Sequence, residues 1–402
     1  SIISRKVHTV RGRLAAAVMT LLVAGLLAAP GSLNAQISCS GVGCDQIPIT
    51  PAEYNQILTE IQLQYTDDLF EKTAEAMVLA NLSAAPVGTV NLQSFTIGAQ
   101  GLGGFVDEEQ IDIIVPQVGV LEDVTNVGAA VNARLFAGVN LGWLTGNPYD
   151  PYKDGAAPSM LSLSRFDVYV GGLKYEDTLN DELGLEDGEL VAKTKSEMFE
   201  LRYHLVEGSN IAAGPLLRFR GVSLGGGYSA TNQTVEYAAS TNSFDVALAE
   251  GIDLEWAGQD RLFYENDIKT YNLEVRSGFQ VLYLFNFVFG GGYAVSDGEV
   301  DFILTRSGPV IARSQNSFSI PEEFLESVPP ELLNSDLLGA LSTGEVEAGV
   351  LGLTVAQTKE VPRHVWYFRG GVELNLWALK LALEGVTTGR AYGANAGVRL
   401  EF

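Results

Sequence analysis

The most regular feature of the chain is an alternation of apolar and polar residues along its C-terminal three quarters. It is clearest in the last eleven residues, 392–402, where every second position is apolar, and it recurs in 131–143 and 271–283. A period of two predicts β-strands with one apolar and one polar face. These runs exceed the usual strand length of about five or six residues. They match the roughly ten residues with which a tilted strand crosses a bilayer.

Alternation and turn signals together predict about fourteen antiparallel strands (about 12–14). The predicted strands lie near 89–100, 129–144, 163–175, 196–207, 215–228, 231–240, 243–257, 269–283, 285–296, 299–307, 346–358, 364–376, 378–388 and 391–402. An even number of strands closes the sheet into a ring, which removes the unpaired edges that lipid excludes. The predicted fold class is therefore an all-β transmembrane barrel.

The N-terminus has the pattern of a secretory signal peptide. Four basic residues between Arg5 and Arg13 precede an apolar run over 14–29, and a small residue, Ala35, stands at a suitable cleavage position. The run is short for a bilayer span, so we interpret 1–35 as a cleaved signal peptide rather than a membrane anchor.

Two cysteines follow the predicted cleavage site. Cys39 and Cys44 would enter an export compartment, where disulfides persist, so a small Cys39–Cys44 disulfide loop is expected. The alternative is a lipid-modified Cys39, for which the preceding 36–38 is a poor recognition sequence.

Residues 36–88 are expected to form a separate N-terminal segment. Thr50, Pro51 and Glu53 have the pattern of a helix start. The helix would carry one apolar stripe and break or restart near Asp67. The stripe consists of Tyr54, Ile57, Leu58, Ile61, Tyr65 and Leu69. Because no second helix lies beside it, we expect a plug-like position against the barrel, which occupies 89–402 and carries a helical insertion at 307–345.

The composition limits the chemistry. The chain has 402 residues, 47% of them apolar, and a formal net charge of −24, which disfavours a nucleic-acid partner. Two cysteines and three histidines leave little for a metal site or a catalytic triad. We expect no enzymatic activity, no metal and no cofactor.

Three features resemble catalytic or metal sites and are given structural interpretations. The residues Gly221 to Gly225 match G-x-S-x-G, but a nucleophile elbow needs a strand, a turn and a helix, whereas a Gly-rich strand continues here. His204 is an inward histidine between charged neighbours, expected to form hydrogen bonds in the lumen. The acidic stretch 176–189 lacks the order of a calcium loop, so a solvated external loop is the preferred interpretation.

The inward positions of the strands carry opposite charges two residues apart. They are Arg134, Arg165, Asp167, Glu200, Arg202, Asp253, Glu255, Glu274, Arg276, Arg369, Glu373, Arg399 and Glu401. The mixed signs favour a structural network of ion pairs. A charged constriction that selects solutes is the alternative.

The direction of each strand follows from counting crossings back from Phe402. This count predicts that 101–128, 176–195 and 258–268 lie outside the cell, and that 145–162 and 307–345 lie on the periplasmic side.

The terminal strands 370–377, 378–385 and 391–402, the strand count and the plug position together resemble the FadL family of outer-membrane transporters. The terminal Phe402 matches the insertion signal of bacterial outer-membrane barrels. The family's Asn-Pro-Ala motif is absent near the N-terminus, and 39–80 is an added extension, so no ligand residues are carried over.

The resemblance implies a transporter or channel for hydrophobic small molecules, fatty-acid-like, in the bacterial outer membrane. The implied partners are outer-membrane lipid, a hydrophobic solute and, through Phe402, the barrel-assembly machinery. The alternatives are a non-transport barrel that acts as an adhesin or an assembly component, and a general diffusion porin.

Overall fold

The computed structural model describes ten stretches of the chain. They are residues 36–40, 67–82, 86–106, 109–115, 119–153, 157–178, 188–211, 216–249, 252–314 and 345–402. Several predictions fall outside the described residues: the signal peptide, the Cys39–Cys44 disulfide, the helix start at 50–53, most of the acidic stretch 176–189 and residues 315–344 of the helical insertion predicted at 307–345. The first residues of that insertion, 307–314, are described and form strand rather than helix.

The described residues are mainly β-strand. The strands are β1 (Gln36–Ser40), β2 (Phe95–Val106), β3 (Glu109–Val115), β4 (Gly119–Asn126), β5 (Ala129–Asn140), β6 (Phe166–Thr178), β7 (Gly188–Val206), β8 (Ser209–Asn210), β9 (Leu217–Ala249), β10 (Ile252–Val281), β11 (Phe285–Ser314), β12 (Glu345–Glu360), β13 (His364–Leu376), β14 (Leu379–Thr387) and β15 (Ala391–Glu401). The helices are α1 (Asp67–Asn81) and the short α2 (Leu141–Leu144). The described stretch that follows β1 begins at Asp67, the first residue of α1, so the predicted break or restart near Asp67 falls at the edge of the described residues and stays a prediction. Within the described residues, no helix is long and apolar enough to cross a membrane.

Ten of the described strands close into an antiparallel ring. The order is β2, β5, β6, β7, β9, β10, β11, β13, β14, β15 and back to β2. β11 pairs with β13 over Phe285–Val295 and with β12 over Glu299–Arg313, so β12 continues the line of β13 beyond the ring. The predicted all-β barrel is confirmed in its architecture.

The exact number of strands is not confirmed: ten of the described strands form the ring, whereas the sequence predicts about twelve to fourteen. The segments predicted separately at 231–240 and 299–307 are continuations of the long strands β9 and β11. The predicted strand 243–257 is divided between the end of β9 and the start of β10. The chain does not reverse between the predicted strands 285–296 and 299–307. Gly298, which lies between them, has a φ of 144°, and a Cβ there would clash with the backbone carbonyl of Asp267 on β10. Glycine at this position permits the close approach of two paired strands.

The longer strands also change the predicted sides of two loops. The stretch 258–268 is part of β10 rather than a loop, and β11 runs from the Phe402 end of the barrel to the opposite end. Ser314 and Glu345, the described residues nearest to 315–344, therefore lie at the end opposite 145–153, so the described strands contradict a common side for 145–162 and 307–345. We call the two ends the C-terminal end, where Phe402 lies, and the distal end.

The outer face of the ring is an apolar belt between two groups of aromatic side chains. At the C-terminal end the rings of Phe95, Trp143 and Phe402 stack at 6.2–6.4 Å. At the distal end, Phe105 stacks on Tyr392 at 5.8 Å. Phe95 and Phe105 lie on one strand, so the two groups are separated by roughly 25 Å along the barrel axis, given the rise and tilt of barrel strands. Exposed apolar residues between them include Leu135, Leu201, Leu273, Phe287, Val372 and Leu383.

Part of the wall continues far beyond the distal aromatic group. Tyr228 and Tyr271 pair within that group, with ring centroids 5.1 Å apart. β9, β10 and β11 each extend about twenty residues further, or roughly 65 Å of extended chain. We call this extension, with β12, the tall sheet.

Candidate functional site

The lumen of the ring is occupied by the chain that precedes β2. We call residues 67–82 and 86–94 the inner segment. On α1, Ala74, Met77 and Leu79 are buried in a cluster with inward residues of the distal half of the barrel. Those barrel residues include Val106, Ala130, Ile268, Ala294, Val365, Val386 and Ala391. The apolar face of α1 is therefore covered by the inside of the ring rather than by lipid.

Asn81 anchors the end of α1 to three strands. Its backbone carbonyl accepts a hydrogen bond from Ser229 Oγ at 2.6 Å, and its Nδ2 donates to the carbonyl of Ile268 at 3.3 Å. Its Oδ1 accepts from Thr231 Oγ1 at 2.9 Å and from the buried guanidinium of Arg134. Because all these groups are buried, the amide side chain of Asn81 fixes the position at which the chain leaves the helix.

Three inward arginines donate hydrogen bonds to the backbone carbonyls of the inner segment. Arg202 Nη1 donates to Val90 O at 2.9 Å, and Arg399 Nη1 donates to Val87 O at 2.9 Å. Arg276 Nη1 donates to Pro86 O at 3.1 Å. Residues 86–92 form a turn and bends rather than a strand, so they have no ladder partner, and these guanidinium groups satisfy their carbonyls.

Inward acceptors bind the amides of the same stretch. Glu384 Oε1 accepts from Gly88 N at 2.5 Å, and Asp167 Oδ2 accepts from Leu92 N at 2.9 Å. Gln100 Oε1 accepts from Val87 N at 3.2 Å. Donors and acceptors from opposite walls thus hold 86–92 along its length.

The same charges also pair with one another. Arg202 lies 2.8 Å from Glu200, and Arg399 lies 2.7 Å from Glu373. Arg369 binds Glu274 at 3.1 Å and Glu384 at 3.3 Å, and Glu274 also pairs with Arg276. Glu401 pairs with Arg399 at 3.3 Å, nearer the C-terminal end. Eight of the nine predicted charges take part in these ion pairs: Glu200, Arg202, Glu274, Arg276, Arg369, Glu373, Arg399 and Glu401. The ninth, Arg134, contacts Asn81 and Thr231 instead. All nine except Glu401 are almost completely buried.

Sequence reasoning missed two members of this network. Glu384 lies between outward Leu383 and Gly385, so the period of two could have identified it as inward. Gln100 is uncharged and no pattern singled it out. The side chains of Asp253 and Glu255, also predicted to face the lumen, lie outside the described side chains.

His204 belongs to a buried cluster of acids. Its Nε2 lies 2.7 Å from Asp167 Oδ2 and its Nδ1 lies 3.4 Å from Glu207 Oε2. Ser223 faces His204 across the β7–β9 ladder, but it lies within a continuous strand and is completely buried. The structure therefore contains no nucleophile elbow at G-x-S-x-G, as the sequence predicts. In the described part of the chain no group of His, Cys, Asp or Glu is arranged to hold a metal ion.

A closed antiparallel ring, an apolar outer belt between aromatic groups and a polar, filled lumen define a transmembrane β-barrel of the outer-membrane type. A family model described as Lsa36-like matches residues 32–402, so the chain belongs to the Lsa36-like family. No curated protein matches the chain.

Solved structures with some similarity are outer-membrane barrels. The translocator domain of the autotransporter NalP from Neisseria meningitidis has 8% identity and a TM-score of 0.26, with 78% of this chain and 90% of that chain covered. Ail, the attachment invasion locus protein of Yersinia pestis, has 6% identity and a TM-score of 0.21, with 77% of this chain and 98% of that chain covered. A FadL homologue from Pseudomonas aeruginosa has 7% identity and a TM-score of 0.25, with 82% of this chain and 97% of that chain covered. Identities and TM-scores this low do not confirm that the chain belongs to the FadL family.

Proposed function

We propose that the protein resides in the bacterial outer membrane as a barrel with a closed lumen, and that it acts through the tall sheet at the cell surface. The observation that carries this proposal is a contrast between the two halves of the molecule. The lumen is filled by the inner segment and by paired charges, whereas three strands of the wall continue far beyond the apolar belt.

Closure of the lumen is supported by the number and kind of its contacts. Residues 86–92 receive hydrogen bonds from strands on several sides of the ring, and α1 fills the distal half with apolar side chains. A ring of ten strands has a narrower interior than the fourteen expected from the sequence. A narrower interior that also holds the inner segment supports a closed lumen rather than a general diffusion pore.

The distal position of the tall sheet supports a role at the cell surface. Phe402 and the short hairpin turns at 282–284 and 377–378 share the C-terminal end, which is the periplasmic end in bacterial barrels. The tall sheet then projects outward. Acidic residues outnumber basic ones in 231–270 and in 297–313, so this surface favours a cationic partner.

Closure predicts a small conductance for the mature protein in planar bilayers. Deleting 36–86 removes α1 and should raise the conductance by opening the distal half of the lumen. Deleting only 36–66 leaves the inner segment intact, serves as the matched control and should leave the conductance small. A large, steady conductance of the intact chain would contradict closure and favour the porin alternative.

The role of the tall sheet is tested with a shortened barrel. Tyr237 and Leu262 are partners in the β9–β10 ladder, so 238–261 can be replaced by Asn-Gly without changing the register below them. Purified full-length protein should bind immobilised polylysine in a salt-sensitive manner, and the shortened variant should bind it more weakly. Equal binding by two folded proteins would contradict a role for the tall sheet.

Transport of hydrophobic small molecules is the second candidate. The observation that favours it is that the inner segment is held in the lumen by non-covalent contacts, which displacement would break. Cells that produce the intact chain would then take up radiolabelled oleate faster than cells that produce the chain without Phe402. Uptake equal to that of host cells without the protein leaves surface presentation as the function.

A further inference from the structure

The C-terminal end of the barrel contains a cavity that neither the inner segment nor the proposed surface role uses. It has a volume of about 740 Å³. Its walls are the first residues of β9 and β14, the last residues of β10, β13 and β15, and the connection around 150–153. Gln93, at the end of the inner segment, forms part of its lining. We call it the mouth cavity.

Four cations line the mouth cavity; Lys153 pairs with Asp150, and Arg218 is held in a fixed position. The guanidinium of Arg218 lies between two tyrosine rings, 4.5 Å from the centroid of Tyr152 and 4.3 Å from that of Tyr283. It also donates hydrogen bonds to Asn210 Oδ1 at 3.1 Å and to Tyr283 Oη at 3.0 Å. Because a tyrosine ring covers each face of the Arg218 guanidinium, the plane of this group is fixed.

The other two cations have no direct partner. Within the described part of the chain, neither Arg220 nor Lys380 forms a hydrogen bond or an ion pair. The acids of the cavity are already engaged, because Asp150 pairs with Lys153 at 2.8 Å and Glu401 pairs with Arg399 at 3.3 Å. Two half-buried positive charges therefore face the same cavity, in a protein whose net charge is −24.

Two buried amides add hydrogen-bonding groups to the cavity. Asn375 and Gln280 are only 8% and 6% exposed, yet among the described residues both side-chain polar atoms of Asn375 and the Oε1 of Gln280 have no hydrogen-bond partner. A buried polar atom without a partner costs free energy, which a bound molecule that supplies the partner would recover.

The rim of the cavity is apolar and strained. Leu282 is 59% exposed and Trp377 is 96% exposed, and both lie at the level where the belt meets the C-terminal end. Leu282, Tyr283 and Trp377 have φ values of 54°, 61° and 57°, a region that non-glycine residues rarely adopt. The two turns hold Tyr283 over Arg218 and Leu282 and Trp377 at the membrane surface, despite this backbone strain.

We propose that the mouth cavity binds an anionic amphiphile, with its head group between Arg220 and Lys380 and its hydrocarbon chain along Leu282 and Trp377. The two unpartnered cations attract a carboxylate or phosphate group. The buried amides of Asn375 and Gln280 complete its hydrogen bonds. The apolar rim continues into the bilayer, so a chain attached to the head group can remain in apolar surroundings.

The proposal is tested by calorimetric titration of the full-length protein in nanodiscs of zwitterionic phosphatidylcholine. Dodecanoate should bind saturably at one site. Binding should be weaker by roughly tenfold or more in the double variant Arg220→Gln/Lys380→Gln. Arg220→Lys keeps the charge and should retain most of the affinity. Acetate, which lacks the chain, and dodecanol, which lacks the charge, should both bind far more weakly than dodecanoate.

A matched control keeps the change of net charge constant. Lys193→Gln/Lys195→Gln removes two exposed cations near the distal end, and it should bind dodecanoate like the parent protein. Unaltered heat-modifiable migration shows that each variant is folded. If the Arg220→Gln/Lys380→Gln variant binds dodecanoate as tightly as the parent protein, the proposed site is wrong. If acetate binds as tightly as dodecanoate, the proposed role of the hydrocarbon chain is wrong.

A comparison of head groups separates the two sources of such an anion. Tighter binding of dodecyl phosphate would identify a phospholipid-type head group, and tighter binding of dodecanoate would identify a free fatty acid. Either result supports the proposal. This test does not depend on the conductance or polylysine experiments, because the mouth cavity is remote from both α1 and the tall sheet.

Discussion

Single residues of the lumen serve two partners at once. Arg202, Arg276 and Arg399 each pair with a glutamate of the wall and donate to a carbonyl of the inner segment. A guanidinium has five N–H donors in a planar fork, so it can satisfy a carboxylate and a peptide carbonyl together. A lysine at the same position would offer neither the reach nor the geometry.

Replacing Arg399 should destabilise the barrel strongly. Arg399→Gln leaves Glu373, which is completely buried, without its ion pair and weakens the contact to Val87 O. We expect a loss of about 3 kcal/mol in the free energy of unfolding, because a buried carboxylate remains uncompensated. Urea unfolding of the purified protein in detergent measures this loss of stability.

A surface ion pair provides the control for this variant. Lys195 lies 2.8 Å from Glu197, but both side chains are more than half exposed. Lys195→Gln should leave the urea midpoint unchanged, because solvent screens such a pair. A midpoint for Arg399→Gln that equals that of the control would mean that the lumen charges are solvated.

At the scale of elements, the docking of α1 depends on a glycine of β2. A Cβ at Gly104 would clash with the carbonyl oxygen of Ala76 in α1, whereas one at Gly103 would meet its nearest atom at 3.7 Å. Gly104→Ala should therefore displace α1 and raise amide hydrogen exchange across residues 69–81, and Gly103→Ala should not. Equal protection of α1 in both variants would show that the helix does not rest on this strand.

The turn between β10 and β11 should gain stability from a residue that tolerates a positive φ. Leu282 has a φ of 54°, and asparagine adopts this region more readily than leucine. Leu282→Asn is expected to raise the free energy of unfolding by about 0.5–1 kcal/mol.

The neighbouring Leu284, which is not among the positive-φ residues, provides the comparison for this turn. Leu284→Asn should give no gain in urea unfolding. A gain of the same size in both variants would attribute the effect to polarity rather than to backbone conformation.

At the scale of the whole molecule, closure of the ring brings Phe402 against β2, the first strand of the ring. Phe402 N donates to Phe95 O at 2.9 Å, and their rings stack at 6.4 Å. Deleting Phe402 should lower the yield of folded, heat-modifiable barrel in cells. Phe402→Tyr retains the ring and the backbone contact and should assemble normally. A normal yield from the deletion would argue against a role of this residue in assembly.

The sequence by itself determined the architecture and the faces of its strands. Alternation predicted a barrel, an apolar outer face and charged inward positions such as Glu200, Arg276 and Arg399, because side chains on a strand alternate between two environments. It also predicted helix in the N-terminal segment, and α1 forms the described part of it. These features are local, since each depends on residues two to four positions apart.

Only the tertiary structure decided the number of crossings, the partners in the lumen and the mouth cavity. A period of two continues unchanged from a crossing into the tall sheet, so the sequence cannot mark where the bilayer ends along β9, β10 or β11. Arg399 meets Val87, and Gly88 meets Glu384, across about three hundred positions of chain. Such contacts exist only once the ring has closed around the inner segment, so no local pattern encodes them.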